Sequence, residues 1–176
     1  VRPLSPYAAS KVAGEAYASS YSACHGLATV GLRYFNVYGP RQDPRSEYAA
    51  VIPKFITACL RGESPVIYGD GEQTRDFTMV RDAVRANLLA ADAPRASGFV
   101  CNVAAGSRTS LNQLFAAIRE QTGARVEPRH EKARGGDVRD SLASLERSRE
   151  LLGYQPSVDL REGLRLTIES FARRTP

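Results

Sequence analysis

Ala28-Thr29-Val30-Gly31-Leu32-Arg33-Tyr34 runs without a break into Phe35-Asn36-Val37-Tyr38-Gly39-Pro40. Residues 28–34 are β-branched or apolar enough for a strand, and Asn36 to Pro40 reads as the turn that ends it. Upstream, Ser5-Pro6 supplies an N-cap and a proline at the first helical position, opening a helix from about Tyr7 to Cys24 that stops near Gly26. Alanine and serine fill this helix, so a second helix can approach it closely. The unit is therefore a helix feeding a strand.

The same alternation continues downstream. A helix is expected from about Tyr48 to Leu60, ended by Gly62, then a strand at Val66 to Tyr68 and a turn at Gly69 to Gly71. Thr74 to Met79 reads as one short strand. Ala83, Val84, Asn87, Leu88 and Ala91 have helical spacing up to Pro94, and Phe99 to Val103 reads as a strand. Leu111, Leu114, Phe115 and Ile118 recur at helical intervals before Gly123, the clearest helix in the chain. Arg125 to Pro128 is a further expected strand, and residues 130–140 a polar loop. A short helix from Leu145 to Leu152 precedes Gly153, and Asp159 with Glu162 has the spacing of a capping box for a last helix. This order argues for an α/β fold. The strand–helix units are few and interrupted, which is the look of the second half of a doubly wound fold.

Composition narrows the function. The 176 residues are 43% hydrophobic and 24% charged, with a net charge of +5, which excludes collagen-like and strongly disordered classes. No apolar run is long enough to span a membrane. Lys11, Lys54 and Lys132 are the only lysines, so the positive charge is almost wholly arginine. Either a coding bias or an anionic ligand explains that, because a guanidinium fork matches phosphate oxygens. The arginines are scattered with no basic run, which disfavours nucleic acid. Cys24, Cys59 and Cys101 lie in apolar segments without close spacing and read as buried thiols in a reducing cytoplasm. His25 and His130 are far apart, with no metal-ligand spacing around them.

Tyr7 and Lys11 stand four residues apart, on one helical face. A phenol is a poor base near neutral pH, and a nearby ammonium favours its phenolate form. Such a pair suits removal of a proton from a sugar hydroxyl while hydride leaves the same carbon.

Three blocks then stand in order: Pro3-Leu4-Ser5-Pro6-Tyr7-Ala8-Ala9-Ser10-Lys11, Leu32 to Pro40, and Tyr68-Gly69-Asp70-Gly71-Glu72-Gln73-Thr74-Arg75-Asp76-Phe77. Together they resemble the extended short-chain dehydrogenase/reductase family, and within it the NAD-dependent nucleotide-sugar epimerases. The likeness runs from about Pro3 to Phe171.

The resemblance implies the C-terminal part of an NAD(P)-binding Rossmann-like doubly wound fold plus a small α/β substrate-binding domain. Residues 1–47 would end the Rossmann domain, and 48–176 would mainly bind nucleotide sugar, with about 79–105 returning to the Rossmann sheet. It implies NAD as cofactor, a UDP-sugar as substrate, and Tyr7 as catalytic base. Lys11 would tune Tyr7 and hold the cofactor ribose, with Phe35 at the nicotinamide end. Asn36 would bond the diphosphate or sugar, Val51 would offer backbone to the nucleotide, and Tyr68 would lie beside uracil. Arg75 and Arg134 would clamp the diphosphate, with Asp137 near the ribose.

Ser141 sits seven residues after Arg134, where the family places a gatekeeper beside the sugar C2 substituent. A small serine leaves room for an N-acetyl group. The implied substrates are UDP-N-acetylglucosamine and UDP-N-acetylgalactosamine, with UDP-glucose and UDP-galactose alongside, as in polysaccharide biosynthesis. The alternative for Ser141 is an ordinary small loop residue.

The family's glycine loop, its acidic ribose ligand and its upstream Ser or Thr have no counterpart in this sequence. An N-terminal truncation is the expectation, leaving a chain inactive alone with an uncovered sheet edge. The Tyr7 to Cys24 helix resembles the one through which family members form homodimers, although a helix buried in a monomer has the same composition. The other readings are a nucleotide-sugar dehydratase or decarboxylase, or a non-catalytic nucleotide-sugar-binding module.

Overall fold

The computed structural model describes residues 2–3, 5–43, 50–133, 135 and 138–173. Helix α1 (Pro6–His25) is capped as its sequence predicts: Ser5 Oγ accepts the Ala8 N–H at 3.1 Å, and the chain leaves through Gly26 at φ 65°. None of its residues is buried.

Strand β1 (Gly31–Tyr34) pairs in parallel with β6 (Val100–Val103), Leu32 opposite Cys101. It is shorter than the expected 28–34. Thr29 instead binds back to α1, its hydroxyl donating to the Ala18 carbonyl at 2.8 Å. Further along, Arg33 donates two 2.6 Å hydrogen bonds to Glu15. At the other end Ser22 Oγ meets Ser97 Oγ at 3.0 Å. Residues 22, 18 and 15 thus pair with successively later positions of the strand layer, so α1 runs antiparallel to β1. Its first turn is carried toward the end of β1 from which Phe35 and Asn36 leave.

Between β1 and β6 the chain builds β2 (Val37–Tyr38), α2 (Val51–Arg61), β3 (Val66–Tyr68), β4 (Thr74–Arg75), β5 (Thr78–Met79) and α3 (Val80–Ala91). A 3-10 turn at Pro94–Ala96 follows α3. Beyond β6 come β7 (Thr109–Ser110), α4 (Leu111–Thr122), β8 (Arg129–Glu131), α5 (Glu146–Leu152) and α6 (Leu160–Ala172).

The expected strand 74–79 is two. β4 pairs antiparallel with β7 and β5 pairs parallel with β2, because the buried Asp76 and Phe77 interrupt them. The strand expected at Arg125–Pro128 falls instead at β8, parallel to β3. Pro128 has no N–H to offer a ladder, whereas Arg129 donates to the Pro65 carbonyl at 2.8 Å. The helix expected from Tyr48 begins at Val51; residues 48–49 lie outside those described. Cys59 and Cys101 are buried as expected, but Cys24 is exposed: Ser22 of the same turn faces Ser97, and Cys24 lies off that side of α1.

Two apolar clusters result. In the first, α2, α4 and α6 bury Ile52, Phe55, Ile56, Leu114, Phe115, Ile118 and Leu164 against Ile67 of β3. In the second, Ala86 of α3, Cys101 and Val103 of β6, and Leu152 of α5 gather around Tyr154. The Tyr154 hydroxyl donates to the Ala104 carbonyl at 2.9 Å, and burial pushes its phenol up to about 12. Capping explains where the helices start. Ser110 and Gln113 form a complete capping box on α4. At α6 Asp159 accepts the Glu162 N–H, but Glu162 turns to Arg165 instead of back to the cap.

Among the described residues, the second edge of β1 has no strand partner. A hollow of about 480 Å³ lies beside it, lined by Val30, Leu32, Asn87 and Ala90. No described helix is long and apolar enough to cross a membrane.

Candidate nucleotide-sugar site

Two groups of sequence-predicted residues can be placed. The first is on α1. Lys11 Nζ stands 5.1 Å from the centroid of the Tyr7 ring, so the two side chains meet across one helical turn. Tyr7 is 73% exposed and engages no core. A ligand can therefore reach both groups without rearrangement.

The second group gathers around β4. Asn36 takes a left-handed φ of 37°, which asparagine tolerates better than most residues, and its Nδ2 donates to the Asp76 carbonyl at 2.9 Å. Arg75 is half-buried and sends Nη1 to the Thr74 and Val138 carbonyls at 2.8 and 2.6 Å. Ser141 is also half-buried, and its N–H donates to the Thr74 carbonyl at 3.2 Å. Asn36, Arg75 and Ser141 are thus brought onto one stretch of backbone from three distant parts of the chain.

The remaining candidates lie around this stretch. Phe35 is half-buried; its carbonyl accepts the Thr78 hydroxyl at 2.5 Å. Val51 opens α2, and Ala50 before it has no side-chain acceptor to offer the first N–H groups of that helix. Tyr68 ends β3, and its carbonyl accepts Gln73 Nε2 at 2.6 Å. Arg134 and Asp137 lie outside the described residues.

The segment 138–141 is stitched to the β3–β4 turn. The Arg139 guanidinium grips the Asp70 carboxylate at 2.8 and 3.0 Å, and Thr74 Oγ1 donates to Asp140 at 2.7 Å. The Asp70 carboxyl is held at about 2, first by the Arg139 hydrogen bonds and then by the Glu72 backbone N–H. The sign follows from that depression. The pair's contribution is complete above the ordinary carboxylate value of about 4. It is lost as pH falls through about 2. An NMR titration of the Asp70 carboxyl carbon is expected to show a midpoint near 2. A midpoint in the ordinary carboxylate range would mean that the grip is absent in solution.

Sequence reasoning missed two residues here. Gln73 is buried, with its Oε1 atom unpartnered, and Asp76 is a buried carboxylate. Both stand beside other polar or charged residues, Glu72 and Thr74 around Gln73 and Arg75 before Asp76, so nothing local marks them for burial.

The family described as the NAD dependent epimerase/dehydratase family matches residues 1–104. The UDP-glucose 4-epimerase of Mycolicibacterium smegmatis is 43% identical over 175 residues, covering 99% of this chain and 55% of that protein. The crystal structure of the Thermotoga maritima UDP-glucose 4-epimerase with UDP-glucose superposes with a TM-score of 0.94 at 44% identity, covering 98% of this chain and 55% of the other. The UDP-N-acetylglucosamine 4-epimerase of Methanobrevibacter ruminantium, in complex with UDP-N-acetylmuramic acid, gives 0.93 at 44% identity, over 99% and 56%. The chain spans about half the length of the relatives it matches. Likeness of this degree across nearly all of its own residues settles the family: the chain belongs to the NAD-dependent epimerases/dehydratases.

Proposed function

We propose that the whole protein is an NAD-dependent UDP-sugar 4-epimerase that accepts N-acetylated hexoses, UDP-N-acetylglucosamine and UDP-N-acetylgalactosamine, together with UDP-glucose and UDP-galactose. The observation that carries the chemistry is Lys11 Nζ poised 5.1 Å over the exposed Tyr7 ring, on a helix whose first turn points to the C-terminal end of β1. In open parallel sheets that end is where ligands bind.

Tyr7 takes the proton from the sugar C4 hydroxyl, and Lys11 supplies positive charge beside it. Lys11 and Phe35 would hold the nicotinamide end of NAD, which would supply reversible hydride acceptance for C4. Tyr7 gives the proton back once the 4-keto sugar has turned over, so the net change is inversion at C4. Arg75 and Arg134 hold the diphosphate throughout, Asn36 bonds the sugar or diphosphate, and Tyr68 lies beside uracil. Val51 offers backbone N–H, and Asp137 sits near the ribose. Ser141, small and half-buried, leaves space beside C2 of the sugar.

The residues present suit the nicotinamide end of NAD: Lys11 is exposed and able to donate to a ribose hydroxyl, and Phe35 leaves β1 at the same end. Residues 1–47 and about 79–105 form the Rossmann part in this reading, and the rest mainly the sugar-binding part. The unpaired edge of β1 and the hollow beside Val30 and Leu32 are where further strands and helices of an NAD-binding sheet fit. The isolated chain is therefore inactive. The outer face of α1, with Tyr17 70% and Tyr21 51% exposed, is the surface of a homodimer. The enzyme works in the cytoplasm.

The test is conversion of UDP-N-acetylglucosamine by the whole protein. The expected product is UDP-N-acetylgalactosamine, with no net reduction of NAD. Accumulation of a 4-keto-6-deoxy sugar would replace this reading by a dehydratase. UDP binding without turnover of any hexose would replace it by a binding module.

A further inference from the structure

We propose that Asp76 is a positioning residue, holding Asn36, Arg75 and the Ser141 segment in the one arrangement that grips a uridine diphosphate; the inference rests on the function proposed above. Asp76 is fully buried. Its carboxylate accepts the Ala105 N–H at 2.9 Å, the Gly106 N–H at 3.2 and 3.1 Å, and the Ala143 N–H at 3.2 Å. A buried carboxylate must be hydrogen-bonded, and backbone amides from two distant segments do it here.

The ladder beside it shows what this arrangement achieves. Thr74 donates to the Arg139 carbonyl at 2.9 Å, and Ser141 donates to the Thr74 carbonyl at 3.2 Å, giving a parallel bridge between Thr74 and Asp140. Were the pairing to continue, the next donor, the Ala143 N–H, would go to the Asp76 carbonyl. It goes to the Asp76 carboxylate instead. The carbonyl is left to accept Asn36 Nδ2 at 2.9 Å, which aims that side chain from the turn after β1. Arg75, between Thr74 and Asp76, reaches the Val138 carbonyl of the same segment. One residue therefore sets the Asn36 amide through its backbone and the 138–143 segment through its side chain.

Asp82 is the matched control. It is equally buried and accepts the Ser157 N–H at 3.0 and 3.1 Å, the Ser157 hydroxyl at 2.6 Å and the Val158 N–H at 3.2 Å. It ties α3 to residues 157–158, where no candidate ligand-binding residue lies.

Calorimetric titration of UDP tests the proposal. Asp76→Asn places an amide donor where an acceptor stood, and the Kd for UDP is expected to rise about tenfold, the scale of a sub-ångström misplacement. Asp82→Asn is expected to lower Tm as Asp76→Asn does while leaving Kd unchanged. A second readout needs no variant. Because coupling is reciprocal, saturating UDP is expected to slow amide exchange at Gly106 and Ala143 of the unmodified chain, but not at Ser157 and Val158. This measurement decides the matter if Asp76→Asn does not fold. Equal UDP affinity in the unmodified and Asp76→Asn chains, or unchanged exchange at Gly106 and Ala143, overturns the inference and leaves the proposed function standing. Failure of the unmodified chain to bind UDP overturns both.

Discussion

Tyr7→Phe is expected to slow epimerisation by the whole protein about 10²–10⁴-fold, the usual contribution of a positioned acid–base group. UDP affinity and Tm are expected to stay as they were. The separation follows from where Tyr7 sits. Its ring is 73% exposed and makes no core contact, so removing one oxygen costs no packing. Phenylalanine keeps the ring under Lys11 Nζ at the same 5.1 Å spacing, so the lysine side chain keeps its support. Only the exchangeable proton is lost. The ratio of kcat in the two proteins, measured beside UDP affinity, checks this. Equal turnover would remove Tyr7 from the chemistry and, with it, the reading of the Tyr7–Lys11 pair as the catalytic centre.

The largest effect on stability is expected at Phe55. Its ring is 1% exposed and stands edge-on to Phe115, with centroids 5.8 Å apart at 86°. It is the hinge of the α2–α4 contact in the cluster that also takes in α6. Phe55→Ala removes the transfer energy of a whole ring and leaves a cavity that three packed helices cannot close. The expected cost is about 3–5 kcal/mol. Total stabilities are only about 5–15 kcal/mol. For a chain of this length the drop in Tm is roughly 10 °C. Lys54, one residue earlier on the same helix, is exposed. Lys54→Ala is therefore expected to change stability by less than about 0.5 kcal/mol. Thermal or denaturant unfolding of the two variants makes the comparison. Similar small losses in both would mean that α2 does not pack as described.

Helices were the legible part of this fold. α4 shows the reason: its apolar residues repeat at the helical period, Ser110 caps it and Gly123 ends it at φ 68°. These are local signals, and local backbone energetics obeys them. The two-residue strands β2, β4, β5 and β7 carry no period to read. They form because distant partners arrive beside them. β8 lies beyond its expected place because Pro128 has no N–H for a ladder, while Arg129 meets the distant Pro65 carbonyl. Cys24 was misjudged because apolar neighbours in sequence do not ensure a neighbour in space.

The candidate site divides along the same line. Tyr7 and Lys11 meet because helical geometry alone brings positions four apart together, and the three ordered motifs point to the family. No reading of the chain by itself places Asn36, Arg75 and Ser141 on one stretch of backbone, or buries Asp76 among the amides of Ala105, Gly106 and Ala143. A carboxylate survives burial only where donors converge on it, and convergence is a property of the folded chain. Residue order determined the helices, the Tyr7–Lys11 pair and the family. Tertiary structure decided which carboxylates are buried and how the strands pair, because those outcomes depend on groups 29 or more residues apart meeting at hydrogen-bond distance.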